Sequence, residues 1–182
     1  MSVGYRLAQD AGRLAVSPDI KSDSGGVVRS MKSGEACLCE AILRSLPDWF
    51  GLEDAIVQYR VDIETMQTIV SVHSEVIVGF LTVREHNPKT AEIQVMAVME
   101  RSHGRGGGRD LVRAAEWTLR QRSFEFLQVK TLGPSRPCAA YEKTHRFYEA
   151  LGFTPLEENN LWGPANPCLI LVKHLACDRA SH

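Results

Sequence analysis

The chain has 182 residues, 44% of them hydrophobic, which suffices for one sizeable core and makes a single domain the default. Its 21 basic and 22 acidic residues leave a formal net charge of −1, so neither a nucleic-acid partner nor an electrostatic membrane anchor is expected. No apolar run reaches the ~18 residues of a spanning helix, and no basic segment with an apolar core marks a secretory leader. The five cysteines, Cys37, Cys39, Cys138, Cys168 and Cys177, are odd in number and scattered. Cys37-x-Cys39 lacks zinc-knuckle spacing and has no second pair, so the thiols read as reduced residues of a cytoplasmic protein that holds no metal.

Residues 1–30 are rich in Ser, Gly, Asp and Lys without periodicity and read as a flexible extension; a single folded domain follows at 31–176, then a tail at 177–182. From Ser33, a candidate cap, Ala36, Cys39, Leu43 and Leu46 recur at helical spacing until Pro47 stops the helix. A second short helix is predicted around 53–59. Segments 68–72 and 75–85 are rich in Val, Ile and Thr and are joined by a tight link, a hairpin signature. Strand 91–99 leads into glycines, and helix 107–121 carries Leu111, Ala115 and Leu119 on one face. Strand 124–132, a Gly- and Pro-rich loop, a helix ending at Leu151 with Gly152 as its stop, a polar loop at 157–160 and strand 168–173 complete the chain. This succession predicts an α+β fold with a mixed, mostly antiparallel central sheet flanked by helices.

The stretch Val98-Met99-Glu100-Arg101-Ser102-His103-Gly104-Arg105-Gly106-Gly107-Gly108-Arg109 carries the strongest chemical signal. Glycines between a strand and a helix leave backbone N–H groups bare, and the helix dipole adds positive potential, so a pyrophosphate suits the turn. Arg105 and Arg109 add charge beside it. No Gly-Lys-Ser/Thr follows, which excludes a nucleoside-triphosphate loop, and Arg109 stands where a dinucleotide fingerprint needs its last glycine. A flexible glycine turn without a ligand is the competing reading. The segment His103–Gly108 resembles the coenzyme A loop of the GNAT superfamily of N-acetyltransferases, Arg/Gln-x-x-Gly-x-Gly/Ala, with His103 departing from the usual first residue.

A second motif strengthens that resemblance. Thr144-His145-Arg146-Phe147-Tyr148-Glu149-Ala150-Leu151-Gly152-Phe153 is similar to the Phe-Tyr-x-x-x-Gly-Phe segment that closes the coenzyme A site in this superfamily. The resemblance spans about residues 60–175 and implies a GNAT-like acyl-CoA-binding fold, with acetyl-CoA as co-substrate. It also implies that Tyr148 protonates the leaving thiolate, that Met96, Ala97 and Val98 offer backbone to the pantetheine arm, and that His103, Gly104, Arg105, Gly106, Gly107, Gly108 and Arg109 cradle the pyrophosphate. Tyr141 stands where the family often has a cofactor-contacting Asn. Residues 91–98 are similar to a strand of the histone-acetylating branch, whose glutamate draws a proton from the amine; Glu92 is the matching residue. Alternation places Glu92 on one face with Gln94, Met96 and Val98, and a base here needs a raised pKa. The apolar-face reading of Tyr148 and a salt bridge for Glu92 stay as alternatives. His86 reads as a surface turn residue, and Trp49 and Phe50 fall where the family builds its acceptor wall.

The function this implies is acetyl transfer from acetyl-CoA to a primary amine, on a small molecule or a peptide or protein; a catalytically silent acyl-CoA sensor is the alternative. An acetylase acting on charged RNA finds no basic face in the composition. A homodimer is an expectation from the family alone.

Overall fold

The computed structural model describes residues 20–21 and 25–175. Eight strands form one sheet: β1 (Ile20–Lys21), β2 (Val27–Ser30), β3 (Gln67–His73), β4 (Val76–Asn87), β5 (Thr90–Val98), β6 (Phe126–Leu132), β7 (Thr154–Asn159) and β8 (Cys168–His174). Their spatial order is β1-β2-β3-β4-β5-β6-β8-β7. Every neighbouring pair is antiparallel except β5 and β6, which run parallel and are joined by helix α3 (Gly107–Gln121) as a crossover. The fold is thus α+β, mixed and mostly antiparallel.

Helices cover both faces. Leu111, Ala115 and Leu119 of α3 are buried in a cluster with Ile69, Leu81, Ile93 and Leu127. Burying one such leucine contributes about 2–3 kcal/mol. Helix α1 (Ala36–Arg44) and helix α2 (Glu53–Thr65) cover the opposite face, with Cys39, Ile42, Leu43 and Ile63 set among Val70, Phe80, Val95 and Ala97. Helix α4 (Ala139–Ala150) follows β6 and lies near its end. The β3–β4 hairpin turns at Ser74 and Glu75, both left-handed with φ of 48° and 62°, as a two-residue loop with the strands' own twist demands.

Four features differ from the sequence reading. The N-terminal boundary moves: Val27–Ser30, read as the end of the extension, pair with β3 from Val27↔Val72 to Ser30↔Ile69. Four residues are too few to show alternation. The rest of that extension, 1–19 and 22–24, and the tail at 177–182 lie outside the described residues. Second, Ser33 caps nothing. Helix α1 starts at Ala36, and Glu35 takes a bidentate pair of bonds from Arg29 at 2.7 and 2.8 Å, fastening the helix to β2. Third, α2 runs on to Thr65, past the predicted stop. Fourth, the polar loop at 157–160 belongs largely to β7. Its side chains are almost all exposed, and as the outermost strand it tolerates Pro155 and three polar residues in a row.

A β-bulge in β5 matters most for function. Thr82 pairs with Val95 but Val83 pairs with Ile93, so Gln94 is the extra residue. Alternation therefore shifts by one. Ala91, Ile93, Met96 and Val98 pack on the α3 side, while Val95 and Ala97 pack on the α1–α2 side. Glu92 consequently does not share a face with Met96 and Val98.

Candidate active site

The parallel β5–β6 pairing stops at Ile93↔Val129. Beyond it the strands part, and a cleft of about 470 Å³ opens between Gln94–Val98 and Lys130–Thr131. The glycine turn closes one end, α4 forms one wall, and Trp49 and Phe50 of the α1–α2 connection roof it.

The turn is built as its composition requires. After a 3-10 turn at Glu100–Ser102, Gly104 and Gly106 adopt φ of 72° and 90°, left-handed values that disfavour any Cβ. Gly106 occupies the cap position of α3, and no side chain caps the first helical turn. Its N–H groups therefore lack intrahelical partners and remain available to an anion. Gly108 lies against α4: a Cβ there would sit 3.3 Å from the Phe147 ring.

Most of the residues predicted for the cofactor meet at this cleft. Met96, Ala97, Val98, His103, Gly104, Gly106, Gly108 and Arg109 line it; Arg105 and Gly107 do not. A Cβ on Gly107 would instead meet Ser71 of β3. The departure at His103 has a local explanation. Its Nε2–H donates to the Val98 carbonyl at 2.7 Å, and its ring meets Trp49 edge-on at 6.0 Å, so it braces the strand end.

Tyr148 lies in the cleft wall and is buried, with its ring edge-on to Phe147 and Phe153 at 5.1 and 5.3 Å. Desolvation pushes its phenol well above the ordinary range, so it stays protonated at any working pH. Tyr141, where the family often has Asn, lines the cleft. Its O–H donates to the Trp49 carbonyl at 3.0 Å, while the Trp49 indole N–H donates to Thr144 at 3.1 Å. Together these bonds fasten the α1–α2 connection to α4 across the cleft. Burial raises the Tyr141 phenol to about 12, which keeps it a donor.

Glu92 is 4% exposed and is not part of the cleft lining. Its Oε2 accepts from Lys130 Nζ at 2.6 Å, from Gln128 at 2.9 Å and from His86 at 2.6 Å. Burial pushes this carboxyl up, but the bonds from Lys130, Gln128 and His86 together outweigh it and hold it below the usual carboxylate range. The raised pKa expected from the sequence is thus reversed, because two β6 side chains arrive that spacing along β5 could not reveal. His86 lies at the surface as expected, but within β4 rather than in a turn.

This reversal has a sign in stability. A carboxyl whose folded pKa is depressed stabilises the fold above its unfolded pKa and loses that contribution as pH falls through the folded value. Wild-type unfolding midpoints should therefore fall more steeply below about pH 4.5 than those of Glu92→Gln. Parallel acid limbs in thermal scans would contradict the pairing.

Residues the sequence did not single out complete the cleft: Tyr59, Gln94, Lys130, Thr131, Lys143 and Trp162. Thr131 Oγ1 is buried and has no hydrogen-bond partner among the described residues. Among the described residues no group of three His, Cys, Asp or Glu side chains could hold a metal ion, and no helix is long and apolar enough to cross a membrane.

Comparison with known proteins agrees with this fold. Residues 64–155 match the acetyltransferase (GNAT) domain family, and the chain belongs to that family. The ribosomal-protein-S18-alanine N-acetyltransferase of Escherichia coli shares its fold with a TM-score of 0.67 and 13% identity, over 86% of this chain and 99% of that one. The aminoglycoside 6'-N-acetyltransferase of Enterococcus faecium gives 0.64 and 16%, over 82% and 97%. A GNAT family acetyltransferase from Elizabethkingia anophelis, solved with acetyl-CoA bound, gives 0.61 and 16%, over 81% and 96%. No curated protein matches the chain in sequence.

Proposed function

We propose that the protein transfers the acetyl group of acetyl-CoA to a primary amine of a small molecule or a peptide. The observation that carries this reading is one continuous cleft with an uncapped glycine turn at one end and a buried, protonated tyrosine in its wall. The acetyl-CoA bound in the Elizabethkingia anophelis enzyme of the same fold supports the choice of co-substrate.

In this reading the N–H groups at Gly104, Gly106 and Gly108 hold the pyrophosphate, with Arg109 beside them and Arg105 and Gly107 completing the turn. The main chain of Met96, Ala97 and Val98 takes the pantetheine arm, and strand N–H groups polarise the thioester carbonyl. The amine nitrogen attacks the carbonyl carbon, the C–N bond forms, and the C–S bond breaks. Tyr148 gives its proton to the departing sulfur and regains one from the nitrogen. Before attack the ammonium must lose a proton. Glu92 takes it through water and releases it to bulk solvent, since its carboxylate does not reach the cleft itself.

Calorimetry should show acetyl-CoA binding in the ~1 μM to 1 mM range usual for metabolite sites, with coenzyme A release on adding a suitable amine. Folded protein that binds neither acetyl-CoA nor coenzyme A would sink the reading. Binding without turnover over a broad amine panel would favour the sensor.

A further inference from the structure

We propose that the acceptor is an amine with an apolar or aromatic body and a carboxylate, which Lys130 anchors; this rests on the acetyl-transfer reading. The first observation is charge. Four ionisable cationic or imidazole side chains line the cleft, His103, Arg109, Lys130 and Lys143, and among the described residues no Asp or Glu does. Two buried acids bonded to lining residues, Glu92 and Asp62, are not themselves part of the lining and are engaged. Glu92 accepts from Lys130, Gln128 and His86, and Asp62, 2% exposed, accepts from Gln58 and Gln94. A polycationic acceptor entering here would give up water and find no carboxylate in exchange.

The second observation is position. Lys130 is the first β6 residue past the last β5–β6 pair, Ile93↔Val129, where the cleft begins. The glycine turn follows Val98, five residues further along β5 and therefore about 16 Å away at ~3.3 Å per residue. Lys130 thus stands at the end opposite the phosphate cradle, the end an acceptor enters. Its ammonium has three N–H donors and gives one to Glu92 at 2.6 Å, which fixes it in place and leaves donors for a substrate carboxylate. Gln94 is the bulged residue beside it. Its amide nitrogen donates one N–H to Asp62 at 2.7 Å, which fixes the amide, and its carbonyl oxygen can accept from an amine N–H. On this side the cleft offers the ring of Tyr59, which meets Phe50 edge-on at 6.0 Å, and Trp49 and Trp162 also line the cleft, surfaces that suit an apolar or aromatic body.

The experiment compares kcat/KM for tryptophan, tryptamine and spermidine at saturating acetyl-CoA, with the acetyl-CoA Kd measured on each preparation. The wild type should prefer tryptophan over tryptamine by about tenfold or more, the worth of one charge-assisted pair, and should reject spermidine. Lys130→Gln should bring the tryptophan-to-tryptamine ratio close to 1, and Lys130→Arg should restore it. A spermidine preference, equal use of tryptophan and tryptamine by the wild type, or an unchanged ratio in Lys130→Gln would overturn the proposal. Should Lys130→Gln fail to fold, the wild-type ratio and Lys130→Arg decide it. A protein that binds acetyl-CoA but acetylates none of the three overturns the acceptor class and leaves acetyl transfer standing. A protein that does not bind acetyl-CoA overturns both.

Discussion

Gly106→Val should bind acetyl-CoA at least ~100-fold more weakly than the wild type, the consequence of losing a backbone anion site rather than one side-chain contact. Gly106 has φ of 90° and caps α3, so a β-branched residue must leave the left-handed region and turn the first N–H groups away from the ligand. Gly108→Val should weaken binding by a different route. Its φ is unexceptional, but its Cβ falls 3.3 Å from the Phe147 ring, so the added bulk presses on α4 and fills the channel beside Arg109. The helix and its buried face remain, and the strain of a non-glycine residue at position 106 is about 1–2 kcal/mol, a modest shift in unfolding temperature. Calorimetric titration of folded Gly106→Val decides the matter: affinity within a few fold of wild type would mean that the turn does not cradle the phosphates.

The parts of this site that the sequence revealed are those whose chemistry is consecutive. The glycine turn announces itself because four glycines sit between an apolar strand and a helix whose apolar residues recur with a 3.6 period, and α3 spans Gly107–Gln121 as predicted. Tyr148 was legible for the same reason, through its fixed spacing to Gly152 and Phe153. What depends on juxtaposition stayed hidden. The Gln94 bulge inserts one residue into a strand that is apolar on both faces, so no pattern marks it, yet it decides which face each later residue takes. Glu92 and Lys130 are 38 residues apart and meet only because the α3 crossover lays β6 beside β5 in register Glu92↔Gln128. Without that register, a strand glutamate looks like a free base. The acceptor end draws on the α1–α2 connection, β5, β6 and the β7–β8 loop, each contributing one or two residues of ordinary type. Strand β7 was missed because an exposed edge strand needs no apolar alternation at all.

Tyr148→Phe should lower turnover by roughly 10²-fold while the acetyl-CoA Kd stays within a few fold of wild type, the signature of one lost proton donor. The substitution keeps the ring and its edge-on contacts with Phe147 and Phe153, so packing changes little. Because burial alone raises the phenol, the donor is protonated throughout the accessible pH range, and its removal should scale the rate without reshaping the pH profile. Glu92→Gln should behave otherwise. The carboxylate is held low by Lys130, so it is a weak base, and its loss should cost about tenfold at neutral pH and less at alkaline pH, where more amine is already unprotonated. The two variants are thus separable by shape as well as size. Full activity in Tyr148→Phe would reduce the tyrosine to a core aromatic. A Glu92→Gln profile parallel to wild type would leave Glu92 only the work of holding Lys130 at the cleft wall.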